Sequence, residues 1–153
     1  MKETATKEHW GERAEVMKGL AGTWLFDRVI EGHGTMQGLA TFSPLDQGRL
    51  AYREEGNLRL VDGTEFQAER EYIFGVRVDG FDVFFKENPP RLFHEISLSS
   101  RGGAVRAGSA DHLCGPDTYK STYTFLPDGR FIIQHIVSGP RKDYTMTTTY
   151  SRS

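Results

Sequence analysis

Turn-forming residues recur along almost the whole chain, and this recurrence limits the fold more than any other feature. The signals, rich in Gly, Pro, Asp and Asn, lie at residues 32–34, 45–48, 62–63, 79–80, 88–90, 102–103, 115–117, 127–129 and 139–140. Between them apolar residues tend to alternate with polar ones, which is the period of a half-buried strand. Nine turns separate ten strands. We predict an all-β, ten-stranded antiparallel up-and-down barrel, because closure removes the edges that an open sheet would expose.

Only the N-terminal segment has a helical period. Its apolar residues follow one another at three- or four-residue spacing with charged residues between them: Trp10, Ala14, Met17 and Leu20. Gly22 follows where a helix would end. We predict one short helix at about residues 7–20 and a barrel at about 22–152. The 153 residues are the length of a single domain, residues 1–153.

Charge and cysteine content exclude several classes of partner. The chain has 19 Lys and Arg against 21 Asp and Glu, a formal net charge of −2, so neither nucleic acid nor an anionic membrane surface is an expected partner. Cys114 is the single cysteine and cannot form an internal disulfide. The first residues contain no apolar signal region, and we expect a cytoplasmic protein. The oligomeric state stays open.

Turn lengths predict which residues face the interior, because side chains alternate with a period of two. We expect a three-residue loop at 61–63, a two-residue turn at 79–80 and a three-residue loop at 127–129. The resulting cross-strand pairs are Leu58 with Phe66, Glu54 with Arg70, Tyr52 with Tyr72, Val76 with Val83, Phe74 with Phe85, Tyr123 with Ile133, and Ser121 with His135. Arg53 and Glu69 then face solvent.

Two polar groups are expected inside the barrel. A loop at 115–118 would place His112 opposite Ser121, and a turn at 102–103 would place His94 opposite His112. These pairings predict one lateral row, called here the histidine row: His94, His112, Ser121 and His135. The second group is Arg28, Glu54 and Arg70, with Tyr52 and Tyr72 nearby. Two guanidinium groups and one carboxylate leave a buried positive charge, which an anionic ligand would neutralise.

Several short motifs point to a family. Gly22-Thr23-Trp24 opens the first strand and Arg152 closes the last, which resembles the calycin superfamily of lipocalins and fatty-acid-binding proteins, where an arginine stacks on this indole. Three further motifs are Phe93-His94, His112-x-Cys114-x-x-Asp117-x-Tyr119, and Gly139-Pro140-Arg141-Lys142-Asp143-Tyr144. They resemble an uncharacterised bacterial family of lipocalin-like domains over roughly residues 20–152. The resemblance implies a fold and no activity.

Three functions remain open at this point. The first is binding of a small, partly apolar, anionic molecule in the barrel interior, weaker as pH rises if imidazolium groups hold the anion. Its candidate residues are Arg28, Glu54, Arg70, Tyr72, His94, His112, Tyr119, Ser121, Tyr123 and His135. The second is an enzyme that uses His112 or His94 as acid–base and Tyr119 as proton donor on a hydrophobic carbonyl or carboxylate substrate. The third is a structural or interaction module with a filled barrel. No cofactor is expected, and no metal, since His112 and Cys114 alone supply too few zinc ligands.

Overall fold

The computed structural model describes residues 10–100 and 106–152 of the chain. A 3-10 turn, Arg13–Glu15, leads into helix α1, Val16–Leu20, and antiparallel strands follow. The strands are β1 Gly22–Ile30, β2 Gly34–Pro44, β3 Leu50–Leu60, β4 Glu65–Arg77, β5 Gly80–Phe85, β6 Arg91–Ser97, β7 Ser99–Ser100, β8 Arg106–Cys114, β9 Asp117–Phe125, β10 Phe131–Ser138 and β11 Asp143–Ser151; a second 3-10 turn, Asp46–Gly48, joins β2 to β3. In this part of the chain, no helix is both long and apolar enough to cross a bilayer.

The strands form one sheet that curls into a nearly closed barrel. Neighbours in sequence pair with each other, β1 also pairs with β11, and the two ends of the sheet are β6 and β7. Only Leu98 separates β6 from β7, so β7 continues β6 and the barrel has ten strands. Gly108 in β8 permits the close approach of this strand, because a Cβ there would lie 2.6 Å from the Ser97 carbonyl oxygen. The predicted fold class is confirmed.

The N-terminal helix is shorter than predicted. Residues 7–9 lie outside the described residues, and the helical backbone begins only at Arg13. Gly11 has a φ of +66°, a left-handed conformation that interrupts a right-handed helix. Trp10 therefore leaves the helix axis and covers the floor of the barrel, where its ring stacks on Trp24 with 5.9 Å between centroids. Its indole N–H donates to the carbonyl oxygen of Leu126 at 3.0 Å.

Two of the predicted registers are confirmed. β3 and β4 pair Glu54 with Arg70, and β9 and β10 pair Ser121 with His135. The predicted register of β4 and β5 is wrong by two residues. In the structure Phe74 pairs with Val83, Tyr72 with Phe85 and Val76 with Phe81. The turn lies at Val78 and Asp79 because Gly80 is needed within β5. A Cβ on Gly80 would lie 2.0 Å from the carbonyl oxygen of Ile96 on β6.

The register of β8 and β9 also differs by two residues from the prediction. Gly115 has a φ of +63° and Pro116 follows it, which suits a two-residue hairpin turn of the type with glycine first. Cys114 therefore pairs with Asp117 and His112 with Tyr119. A two-residue shift keeps every side chain on its predicted face. The predicted turn at 102–103 lies outside the described residues.

Aromatic rings fill the lower half of the barrel, around the floor closed by α1. The buried rings are Trp10, Trp24, Phe26, Phe42, Tyr52, Phe74, Phe81, Tyr123, Phe125, Phe131 and Tyr150. Trp24 donates from its indole N–H to the Leu20 carbonyl oxygen at 2.8 Å, and the Arg152 guanidinium lies 3.7 Å from the centre of its ring. The expected Trp24–Arg152 contact is therefore present. With this half filled by aromatic rings, the space that remains inside the barrel lies toward the opposite end, called here the mouth.

A candidate ligand pocket at the mouth

A buried ion pair marks the boundary between the aromatic core and the mouth. Arg28 and Glu54 are 7% and 3% exposed and form a bidentate pair at 2.7 and 2.8 Å. The Arg28 Nε atom also donates to the Thr148 hydroxyl at 2.7 Å, and the Tyr52 hydroxyl donates to Glu54. Tyr150 completes the network through the Tyr52 hydroxyl at 2.8 Å. Opposite charges and hydrogen bonds satisfy both groups, so this pair needs no ligand to balance it.

Arg70 faces the same side of the sheet as Glu54 but is exposed. The prediction of a second buried guanidinium is therefore wrong. β4 extends past the ion pair toward the rim, and its N-terminal half, including Phe66, is open to solvent. The only hydrogen bond that Arg70 makes with a described residue is to the Tyr72 hydroxyl at 3.3 Å. Within the described residues it forms no salt bridge, so its charge stays available at the mouth.

A β-bulge in β6 brings two consecutive side chains inside the barrel. Val83 pairs with His94, whereas the next residue of β5, Phe84, pairs with Leu92, so Phe93 has no partner across the ladder. Phe93 and His94 are both buried, and their rings stack with 3.7 Å between centroids. Phe93 is thus an additional ring in the wall of the mouth, consistent with the way bulges redirect side chains.

The predicted histidine row forms only in part: the His94 ring stacks on the His135 ring with 6.0 Å between centroids, but His112 is displaced from the row. Ser121 and His135 do meet, with 2.6 Å between the hydroxyl oxygen and Nδ1. His94 instead bonds the Tyr123 hydroxyl through Nδ1 at 3.0 Å. His112 lies one step nearer the rim, opposite Tyr119, because of the two-residue turn between β8 and β9. The predicted contact between His112 and Ser121 is therefore wrong.

Burial keeps the imidazoles uncharged. It lowers the pKa of His94 to about 3, helped by the nearby His135 and His112. Burial also lowers the pKa of His135 to about 4, and the positive charges of Arg28 and Arg70 act in the same direction. The pKa of His112 is lowered by burial and by the charge of Arg91. At neutral pH these side chains offer a lone pair and an N–H group rather than a charge.

We expect acid to destabilise the protein through His94. In the unfolded chain a histidine has a pKa of about 6.5, so below that pH the unfolded state binds more protons and stability falls toward the folded pKa. This single group should cost up to about 1.4 kcal/mol per pH unit, which amounts to roughly 2 kcal/mol of unfolding free energy between pH 6.5 and pH 4.5. Urea unfolding at both pH values measures the loss, and His94→Gln should reduce it.

His33 provides the matched control for this measurement. It is exposed in the turn after β1, so His33→Gln controls for the loss of an imidazole that is not buried. If His94→Gln and the wild type lose equal stability over this interval, the buried histidine is not the group that titrates.

Two spaces lie above the ion pair. The inner one is a narrow space of about 20 Å³ bounded by Arg28, Glu54, His135 and the surrounding aromatic side chains. A cavity of that size has room for about one water molecule. The outer one is a pocket of about 280 Å³ that opens at the mouth. Its lining residues are Arg70, Glu71, Tyr72, Phe85, Phe93, His112 and Tyr119.

The predicted site residues are distributed between these two spaces. Arg28, Glu54, Tyr123 and His135 line the inner cavity, His112 and Tyr119 line the outer pocket, and Arg70 and Tyr72 line both. His94 and Ser121 line neither. Phe93 lines both spaces and was missed, because the regular alternation of β6 places it outside with Arg91 and Glu95. The one available signal was a large aromatic residue on that otherwise polar face.

This arrangement leaves one of the two candidate acid–base histidines in a position to meet a substrate. His94 is 1% exposed and lines neither space, so it is not placed to meet a substrate in the pocket. His112 and Tyr119 are cross-strand neighbours on the pocket wall and remain the candidate acid–base pair. Over residues 10–100 and 106–152, no group of three or more His, Cys, Asp or Glu side chains is placed to hold a metal ion.

Comparison with known proteins gives a family and similar barrels. No curated protein matches the chain significantly. A redesigned β-barrel, mFAP1, bound to DFHBI, is 16% identical with a TM-score of 0.46, over 92% of this chain and 100% of that chain. Another redesigned β-barrel, b11L5F_LGL, is 17% identical with a TM-score of 0.47, over 94% and 97%. A family profile described as "Family of unknown function (DUF6314)" matches residues 20–152. The chain therefore belongs to this family of unknown function, DUF6314.

Proposed function

We propose that the protein binds a small planar organic anion, such as an aromatic carboxylate, in the outer pocket at the mouth. The observation that carries this proposal is the position of Arg70. Its guanidinium lines a pocket of about 280 Å³ and has no salt-bridge partner among the described residues. A carboxylate can accept two parallel hydrogen bonds from a guanidinium, which gives both affinity and orientation.

The rest of the pocket wall suits a flat apolar ring. Phe93 packs against Phe85 with 4.5 Å between centroids and stacks on Tyr72 at 6.0 Å with an interplanar angle of 15°. Tyr119 lies across from them, 6.2 Å from Phe93 in an edge-on arrangement. Aromatic side chains favour stacked and edge-on partners of this kind. An aromatic ligand would therefore gain contact area on more than one side.

Other cations near the rim are already engaged with carboxylates. Lys142 lies 3.4 Å from Asp117, and Lys86 lies 3.0 Å from Glu71. Arg91 forms a salt bridge with Glu87 at 3.0 Å. These pairs would have to be broken before they could hold a ligand. Arg70 would not, and this difference supports Arg70 as the partner of the ligand's acid group.

The proposal moves the ligand from the barrel interior to its mouth. The ion pair of Arg28 and Glu54 is balanced, and the cavity above it has room for about one water molecule. His135, Ser121 and Tyr123 then act as the structural support beneath the pocket. Arg70, Tyr72, His112 and Tyr119 are the residues of the sequence-based list that would contact the ligand.

Binding of benzoate and of neutral benzamide tests the proposal by calorimetry. We expect benzoate to bind measurably and benzamide at least tenfold more weakly, because only the acid pairs with Arg70. Arg70→Met should weaken benzoate binding at least tenfold. Arg53→Met is the matched control, since Arg53 lies on the outer face of the barrel beside Glu69. Equal binding of benzoate and benzamide, or no benzoate binding at millimolar concentration, would overturn the proposal.

The pH dependence of this binding follows from the lowered histidine pKa values. The pKa values of His94 and His135 lie far below neutrality, and that of His112, the histidine in the pocket wall, is also lowered, whereas an arginine stays protonated throughout. Benzoate affinity should therefore be constant between pH 6 and pH 8, in contrast to the decline expected from imidazolium groups. A fall in affinity across this range would assign the anion to a titrating histidine instead.

Catalysis by His112 and Tyr119 is the second candidate function. These residues face each other across β8 and β9 and both line the pocket. A neutral histidine in that place could accept a proton from a bound substrate. Turnover of a bound carbonyl compound that is lost in His112→Phe would support it.

A further inference from the structure

We infer that the ligand of the outer pocket carries a hydroxyl group, in addition to its acid, and that this hydroxyl hydrogen-bonds to His112. The inference rests on the proposed function and specifies its ligand class: hydroxylated aromatic acids. His112 lies in β8, separated in the sheet from Arg70 in β4 by β5 and β6. Both residues line the same pocket. A ligand held by Arg70 at one end would therefore present its other end toward the wall that carries His112.

The His112 Nε2 atom is buried without a partner. It is inaccessible to solvent and forms no hydrogen bond with any described residue. Its ring lies against Phe93 at 5.0 Å and Phe85 at 5.7 Å, two side chains that offer no acceptor or donor. Buried polar atoms are nearly always paired in folded proteins, so a ligand group that reaches this unpaired atom from the pocket would gain a hydrogen bond.

The protonation state of His112 determines which chemical group of a ligand can hydrogen-bond to it. Its lowered pKa keeps the ring neutral at pH 7, so Nε2 is either a donor or an acceptor, depending on the tautomer. A hydroxyl can both donate and accept and therefore fits either tautomer. A second carboxylate would find no positive charge on His112. The geometry and the neutral ring together favour a phenol or alcohol at this end of the ligand.

His94 also has an unpaired Nε2 atom but is a weaker candidate. It is enclosed beneath the stacked ring of Phe93 and lines neither space. A ligand could reach it only after Phe93 moved. The Nε2 atom of His112 is closed to solvent as well, but its side chain already lines the pocket, so a turn of its own ring, without movement of the bulge, would bring this atom to a ligand.

Matched pairs of acids test the inference in calorimetric titrations at pH 7. The probes are para-hydroxybenzoate, para-hydroxyphenylacetate and para-hydroxycinnamate, each compared with the parent acid that lacks the hydroxyl. The three lengths sample the span between Arg70 and His112. For at least one pair, we expect the hydroxylated acid to bind about five- to tenfold more tightly, the gain typical of one neutral hydrogen bond.

Variants of the pocket wall identify the partner of the hydroxyl. His112→Phe should abolish the preference, so that each hydroxylated acid and its parent bind to this variant with equal affinity. His112→Gln, which keeps a neutral hydrogen-bonding group, should retain part of the preference. Tyr119→Phe is the matched control, because it removes the other hydroxyl of this wall, and it should leave the preference intact.

The outcomes separate the two proposals. Parent acids that bind with no preference for a hydroxyl in any pair would overturn this inference and leave the proposed function standing. A preference that survives in His112→Phe, or that disappears in Tyr119→Phe, would assign the hydroxyl to another residue. If none of the six acids binds to the wild-type protein, the proposed function fails and the inference fails with it.

Discussion

Replacing Glu54 with alanine is expected to lower the free energy of unfolding by about 3–5 kcal/mol, the cost of leaving one partner of a buried ion pair alone. Arg28 would lose both of its hydrogen bonds to the carboxylate and remain charged in a nearly inaccessible position. The Tyr52 hydroxyl would lose its acceptor as well. Urea unfolding monitored by tryptophan fluorescence measures the change.

Two further variants test this explanation. Arg28→Met combined with Glu54→Leu removes both charges, and it should recover most of the loss because no uncompensated charge remains. Arg53→Ala breaks an exposed pair with Glu69 and should have little effect on stability. A Glu54→Ala protein as stable as Arg53→Ala would mean that the mouth admits enough water to solvate Arg28.

Replacing Trp24 with alanine should also destabilise the protein by about 3–5 kcal/mol, the usual range for a large buried aromatic residue. Trp24 is 2% exposed and lies between α1 and the aromatic core. Its ring packs edge-on against Phe131 at 4.8 Å and lies under the Arg152 guanidinium. Removing it would leave a cavity at the floor and free the Leu20 carbonyl that accepts its N–H. Calorimetric melting measures the effect.

Two arginines near the floor serve as comparison and control. Arg152→Ala should destabilise measurably, because Arg152 donates to the carbonyl oxygens of Thr23, Gly19 and Ala21 in addition to its contact with Trp24. Arg130→Ala removes an exposed pair with Asp128 and should have little effect. A Trp24→Ala protein that melts within a degree or two of the wild type would show that α1 and Arg152 close the floor without the indole.

The barrel could be predicted from the sequence because alternation survives errors in turn length. The turns at 79–80 and 115–118 were both misplaced, yet each error shifted the pairing by two residues and left the inner face unchanged. What the turn pattern could not predict is which glycines serve turns and which permit close approach of strands. Gly80 belongs to the second class, and its backbone contact with Ile96 exists only in the folded barrel.

Most residues of the candidate site could be predicted from the sequence, but the degree to which each one is buried could not. Alternation identifies Arg70 and Glu54 as neighbours on one face, but it does not predict that the pairing of β5 with β4 ends at Tyr72 and Phe85, which leaves Arg70 exposed. The excess of positive charge was therefore assigned to the interior instead of the mouth. Phe93 could not be placed, because a bulge adds a residue to one strand without changing the sequence period on either side of it.

The bulge at Phe93 has a consequence for how pockets of this kind can change during evolution. Loss of one residue from a strand ordinarily reverses the faces of every position beyond it. Phe93 is an exception, because Val83 with His94 and Phe84 with Leu92 already form the consecutive pairs of an uninterrupted ladder. Deleting its single codon would remove a ring from the pocket wall and leave the strand on both sides in register. A one-residue length difference at this position is thus a simple genetic route to a wider pocket on an unchanged barrel.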